Sequence, residues 1–230
     1  ANLELRYEDN SNRNYISNRF TMDGEINHGR SEELGQTLRT SRLSAGNYFN
    51  LIRNRENSTW EFRSATQYAY QPASLLLEEG KSKFNQHSFY TDNSAAYLRK
   101  YNGFTQQYKA GIQGERATMK YIPLTQPDDF NASNLSLYFN PYFQLQRGKW
   151  LATLSLPLKA QRYFSQQRSF LFFNPSTYLR YKLDYHWTFS LYGSLKRSAG
   201  DFSDLYPGLY QTDYRTWRSG NGLFPTSTTQ

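Results

Sequence analysis

Side chains that alternate in character with a period of two, kept up for about ten residues at a time, most constrain what this chain can fold into. Over residues 135–145 the odd positions are Leu135, Leu137, Phe139, Pro141, Phe143 and Leu145, and the even ones are Ser136, Tyr138, Asn140, Tyr142 and Gln144. Successive side chains of a strand point to opposite faces, so such a segment has one apolar and one hydrogen-bonding face. A helix would mix the two sets around its circumference.

The pattern recurs. After Gln146-Arg147-Gly148-Lys149, which reads as a turn, Trp150, Ala152, Leu154, Leu156, Leu158 and Ala160 share a face opposite Leu151, Thr153, Ser155, Pro157, Lys159 and Gln161. Beyond a polar loop at Ser165-Gln166-Gln167-Arg168, Pro175, Thr177, Leu179, Tyr181, Leu183 and Tyr185 oppose Ser176, Tyr178, Arg180, Lys182 and Asp184. A tight turn near Asp184-Tyr185-His186 leads to Trp187, Phe189, Leu191, Gly193 and Leu195, opposite Thr188, Ser190, Tyr192, Ser194 and Lys196. Each apolar run approaches the roughly 9–11 residues with which a tilted strand crosses a bilayer. The first half is weaker. Trp60, Phe62, Ser64, Thr66, Tyr68 and Tyr70 share a face, as do Phe104, Tyr108, Ala110 and Ile112. Further strands are expected near 3–7, 15–26, 37–51 and 94–101, about ten to twelve in all. Leu75-Leu76-Leu77-Glu78-Glu79-Gly80 reads as a helical turn within a loop.

Two architectures hide such a face: a sandwich against its second sheet, and a barrel against lipid. Composition bears on the choice. Hydrophobic residues are only 37% of the 230, yet aromatics reach 17%, with 20 Tyr, 16 Phe and 4 Trp. That balance suits a barrel with one wet face and aromatic belts at the interfaces. Trp150, Tyr163, Tyr185 and Trp187 stand near strand ends, as such a girdle requires. Loops alternate too: short at Arg147 and His186, longer at Gln166, 123–134 and 198–222. The reading is an all-β, antiparallel transmembrane β-barrel, in one segment over residues 1–230. Its lipid-facing set is Leu135, Leu137, Phe139, Phe143, Leu145, Leu154, Leu156, Leu158, Leu179, Leu183, Phe189, Leu191 and Leu195. Arg180, Lys182 and Lys196 face the lumen, to solvate it or to meet a plug or an anionic solute.

Chemistry finds little support. His28, His87 and His186 are far apart and lack metal-ligand spacing, and there is no Gly-x-Ser-x-Gly elbow. Asp128-Asp129 reads as a turn-forming loop before a calcium site, and Gly111-Ile112-Gln113-Gly114 as relief of strand crowding, since no Gly-Lys-Ser/Thr follows. No cofactor, no metal and no enzymatic activity are expected. With Cys at 0 there is no disulfide framework. The net charge of +8 is scattered rather than clustered, which argues against nucleic acid.

The segment 187–222 carries a resemblance. A strand ends in Ser194-Leu195-Lys196-Arg197, a loop follows at Asp201-Phe202-Ser203-Asp204-Leu205-Tyr206, then Tyr210-Gln211-Thr212-Asp213-Tyr214-Arg215. With Asn140-Pro141 and Asn174-Pro175 at strand starts or bends, this resembles the barrel of TonB-dependent outer-membrane receptors of the Bacteroidota type, the carboxypeptidase-regulatory-like receptor family. The resemblance implies a porin-like barrel of about 22 strands with a plugged lumen, of which this chain is an excerpt. It also implies a place in the outer membrane of a Gram-negative bacterium and import of a nutrient. The implied partners are outer-membrane lipid, a plug domain and the TonB complex, with a surface lipoprotein as a further one. The alternatives are a non-transport outer-membrane barrel, whether enzyme or surface-complex scaffold, and a soluble β-rich binding module.

Overall fold

The computed structural model describes the backbone of residues 2–9, 14–31, 36–77, 80–122, 128–199, 209–211, 217–219 and 226–229. These contain strands and turns and no helix. The strands are β1 (Asn2–Asp9), β2 (Asn14–Ser31), β3 (Gln36–Arg55), β4 (Ser58–Leu77), β5 (Gly80–Tyr101), β6 (Phe104–Ile122), β7 (Asp128–Arg147), β8 (Trp150–Ser155), β9 (Leu158–Tyr163), β10 (Arg168–Phe173), β11 (Ser176–Lys182), β12 (Thr188–Ser194), β13 (Lys196–Ala199), β14 (Leu209–Gln211), β15 (Trp217–Ser219) and β16 (Thr226–Thr229). One antiparallel sheet holds β1 to β12: β1 to β8 are neighbours in chain order, β11 and β12 follow β8, and β9 pairs with β7 and β10. The pairs β13–β16 and β14–β15 form two small sheets of their own.

Prolines explain why the later strands are short. β7 pairs with β8 through Tyr142↔Ser155 and with β9 through Phe139↔Leu158, so β8 and β9 are one path interrupted at Leu156-Pro157. β10 and β11 likewise continue each other across Asn174-Pro175. The Leu156 amide donates to the Pro141 carbonyl (3.0 Å), Asn174 to Pro157 (3.0 Å) and Leu195 to Pro175 (2.9 Å). A proline has no N–H to return. Three neighbouring ladders therefore lose one reciprocal bond each, at nearly the same height. The Asn174 side chain bridges the end of this seam: its Nδ2 donates to the Arg197 carbonyl (3.1 Å) and its Oδ1 accepts from the Arg197 amide (2.8 Å).

One rim has tight turns. Asn102 and Gly103 (φ 43° and 79°) form a two-residue hairpin turn, the geometry that matches strand twist. Gly148 also has positive φ (56°). At the β11–β12 connection the Asp184 carboxylate accepts from the amides of His186 (2.8 Å) and Trp187 (2.9 Å), fixing the turn locally.

Three sequence expectations need correction. The segment at 75–77 is not helical: Leu75 pairs with Ser82 and Leu77 with Gly80, so β4 and β5 run on as strand. The loop expected over 123–134 is strand from Asp128 onward, because Asn131 and Asn134 pair with Thr118 and Glu115. The Gln166 connection is a four-residue turn at 164–167 that places Gln167 at φ 51°. The first half, weakest in the sequence, holds strands of 18 to 22 residues, about twice the span of a bilayer.

Candidate functional site

The register gives the sheet two unlike faces. Odd positions of β5, β7 and β11 share a face with even positions of β4, β6 and β8–β9. This outer face is the more exposed: Leu137 retains 54% of its accessible surface, Phe139 44% and Leu191 67%. The opposite, inner face holds the buried side chains, among them Ala96, Ala117, Met119, Ala132 and Ser136. Crowding on one face is what the inside of a curved sheet imposes.

All thirteen residues assigned to lipid from the sequence fall on the outer face by register; Phe143, Leu156 and Leu195 are half-buried there. Aromatics of that face gather at the tight-turn rim. Trp150 packs on Tyr181 (4.5 Å between ring centroids), Trp60 on Tyr97 (4.7 Å), and Tyr108 on Phe143 (5.9 Å). Trp150, Tyr185 and Trp187 are exposed at the same rim. Tyr163 is not with them. It occupies an odd position of β9, whose even positions face out, and it is 3% exposed in a cluster with Ala117, Met119, Ala132 and Phe170. Phe164, one residue on, takes the outer position and is 50% exposed. Trp60, Tyr97 and Tyr181 were missed as girdle residues. Their closeness to tight turns was the available signal.

The inner face carries a polar network between β5 and β9. The Tyr138 hydroxyl on β7 donates to Asp92 Oδ1 on β5 (2.7 Å), reaching over β6. The crossing is at Gly111, where an added Cβ would lie 2.5 Å from the Tyr138 ring and hydroxyl and 2.7 Å from the Asn93 carbonyl oxygen. Lys159 on β9 makes the parallel move. Its Nζ donates to Gln113 Oε1 on β6 (3.1 Å), so it must cross β7, where Ser136 opposite Gln113 is wholly buried. Two long polar side chains thus lean the same way, each over a strand that offers a small residue beneath. Asn134 Nδ2 donates to Glu115 Oε2 (3.3 Å), Gln161 Nε2 to the Tyr163 hydroxyl (2.9 Å), and Lys109 lies 5.6 Å from the centre of the Tyr138 ring.

Among the described side chains, acidic charge on the strands is confined to one face, while cations stand on both. The strand carboxylates whose side chains are described, Glu4, Asp23, Glu25, Glu61, Asp92 and Glu115, all have inner-face positions. Arg180, Lys182 and Lys196 also have inner-face positions and are exposed, but they are not brought together with the network: the first two lie at the tight-turn end of β11, and Lys196 opens β13. The histidines stay apart. His87 on the outer face stacks on Tyr70 (4.5 Å) and shares a hydrogen bond with the Tyr68 hydroxyl (2.7 Å). Among the described residues no group of three or more His, Cys, Asp or Glu is placed to hold a metal, and no helix is long and apolar enough to cross a membrane. Asp201–Tyr206 and Thr212–Arg215 of the resemblance segment lie outside the described residues.

An antiparallel sheet of this length, apolar outside and polar inside, defines the class: the chain has the fold of the outer-membrane β-barrels. No protein-family model and no curated protein sequence matches it. Among solved structures it is similar to the unliganded ferric citrate transporter FecA, with TM-score 0.57 and 11% identity over 86% of this chain and 36% of that one. The chain thus spans about a third of the length of that transporter. A second structure, a point mutant of the ferric enterobactin receptor PfeA from Pseudomonas aeruginosa in complex with enterobactin, aligns over 99% of this chain and 47% of its own, at TM-score 0.38 and 14% identity.

Proposed function

We propose that this chain is part of the wall of a TonB-dependent outer-membrane transporter that imports a nutrient, with the outer face against lipid and the inner face toward a plugged lumen. The observation that carries the reading is the two-faced sheet itself. Its outer face is an apolar band closed by aromatics at the tight-turn rim, and its inner face is a hydrogen-bonded polar network. Lipid accepts the first face and a hydrated or plugged lumen accepts the second. The fold of a ferric citrate transporter supports the transport reading, as does the resemblance of 187–222 to Bacteroidota-type receptors. The proposal includes a plug domain, the TonB complex and a surface lipoprotein as partners. It includes no chemistry on the substrate: the wall positions and admits, and the energy comes from the inner membrane.

This chain has no Cys, so a single introduced cysteine is the one labelling site within it. In the intact protein reconstituted in lipid, a fluorophore on Leu137→Cys is expected to be quenched by bromine on the acyl chains, and one on Gln107→Cys of the inner face by aqueous iodide. The reverse pattern, or a protein monodisperse without detergent, overturns the membrane assignment. Uptake that requires this protein but persists when TonB is deleted overturns TonB dependence, and nutrient uptake unchanged when this protein is deleted overturns transport and leaves a scaffold or enzyme barrel.

A further inference from the structure

The outer face has charge of one sign. Arg116 and Arg162 stand where the apolar band ends on the side away from the tight turns, and Arg53, Arg99 and Arg147 stand at the tight-turn rim. Among the described side chains no strand carboxylate shares this face with them. Asp9 and Asp129 hold outer positions by register, with side chains outside the described set.

Arg116 and Arg162 have the more specific setting. In register Arg116 lies opposite Ser133 and Arg162 opposite Leu135, so the two flank β7 one residue pair apart along the strand. Two strand spacings and a two-residue rise along the strand separate their backbones by roughly 12 Å. Phe164 completes the row: its amide donates to the Ser133 carbonyl (3.0 Å), and the Arg162 guanidinium lies 5.8 Å from its ring centre. Directly along β7 toward the band follow Leu135 and Leu137, both exposed. A pair of guanidiniums around a hydroxyl, continuous with an exposed apolar stripe, has the polarity of a single lipid: charged head, then chain.

We propose that Arg116 and Arg162, with Ser133 between them, bind the phosphate of an anionic lipid headgroup, whose acyl chain lies along Leu135 and Leu137. The inference rests on the proposed membrane orientation. Guanidinium meets phosphate in a bidentate fork, and the site adjoins a surface already committed to acyl chains. An acidic protein partner would match the arginines but leave the leucine stripe without its counterpart.

The test uses the intact protein carrying Leu137→Cys with an attached fluorophore, in nanodiscs of phosphatidylcholine doped with brominated-chain phosphatidylglycerol or brominated-chain phosphatidylcholine. Each cation near an anionic headgroup contributes roughly fivefold. The anionic lipid is therefore expected to quench at a mole fraction about 25-fold lower than the zwitterionic one. Arg116→Gln with Arg162→Gln removes that preference, and Lys100→Gln with Arg42→Gln on the inner face keeps it. Equal quenching by both lipids, or the same loss from the inner-face pair, overturns the site while leaving the membrane wall intact. Quenching by neither lipid overturns the wall itself.

Discussion

Tyr138 spans from β7 to Asp92 on β5 only because residue 111 has no side chain. Gly111→Ala forces a Cβ to 2.5 Å from the tyrosine and 2.7 Å from the Asn93 carbonyl oxygen, so both the ring and the backbone of β5 have to give. Overpacking of this kind costs about 1–3 kcal/mol. The urea midpoint of the refolded protein is expected to fall accordingly, and Tyr138→Ala added to Gly111→Ala to restore part of it, since the carbonyl contact remains. Full recovery, or no loss in the single variant, would count against the packing account. The sequence marks 111–114 as a place where crowding is relieved, because two glycines interrupt a strand without a phosphate-loop partner. It does not say what crowds there. Tyr138 lies 27 residues on, and nothing in a period of two links a side chain to one that meets it across a neighbouring strand.

At the scale of elements, legibility followed the solvent. Where one strand face borders the apolar band, as from Leu135 to Leu195, alternation states the strand and its faces. In β2, β3 and β5 the backbone pairs over its whole length, yet Arg, Asn and Ser stand on both faces, so the hydropathy signal fades while the ladder does not. The outer face of β4 and β5 shows the mixed case. Ser64 Oγ donates to Asn93 Oδ1 (2.7 Å), Asn93 Nδ2 donates to Thr91 Oγ1 (3.1 Å), and Thr91 meets Thr66 (3.5 Å). These groups satisfy each other sideways on a face that is otherwise apolar toward the rim. Removing one partner leaves others unmet in apolar surroundings, whereas removing all leaves none. Asn93→Ala alone is expected to lower stability by about 1–2 kcal/mol, and the set Ser64→Ala, Thr66→Val, Thr91→Val, Asn93→Leu to come close to wild type, with refolding in lipid vesicles as the measurement. If the fourfold variant is the less stable, that patch faces water or protein instead of lipid. The proline seam belongs to the same scale. Pro157 and Pro175 interrupt their strands without diverting the strand path, and Pro141 lies inside the unbroken β7, which is why alternation runs through Asn140-Pro141 and Leu156-Pro157 without a fault.

The whole molecule poses one demand that no residue or element states alone. Among the described residues β1 has only β2 as a neighbour and β12 only β11, so the sheet has two edges. In water an edge is tolerated. Within a bilayer each unpaired N–H and C=O costs several kcal/mol, and closure into a barrel is how sheets avoid the cost. A twelve-strand sheet embedded as proposed therefore requires a pairing partner for each edge. The FecA similarity is consistent with that demand, since it aligns with 36% of a longer barrel chain. Hydrogen exchange on the intact protein in lipid tests it. The β12 amides directed away from β11 are expected to be protected as fully as those of β8, which lies between β7 and β11. Rapid exchange along the outer side of β12, with β8 still protected, would show a sheet that remains open there, and an open edge cannot lie in the hydrocarbon. The membrane reading would then fail at the scale where it is most demanding, whatever the side chains of either face suggest.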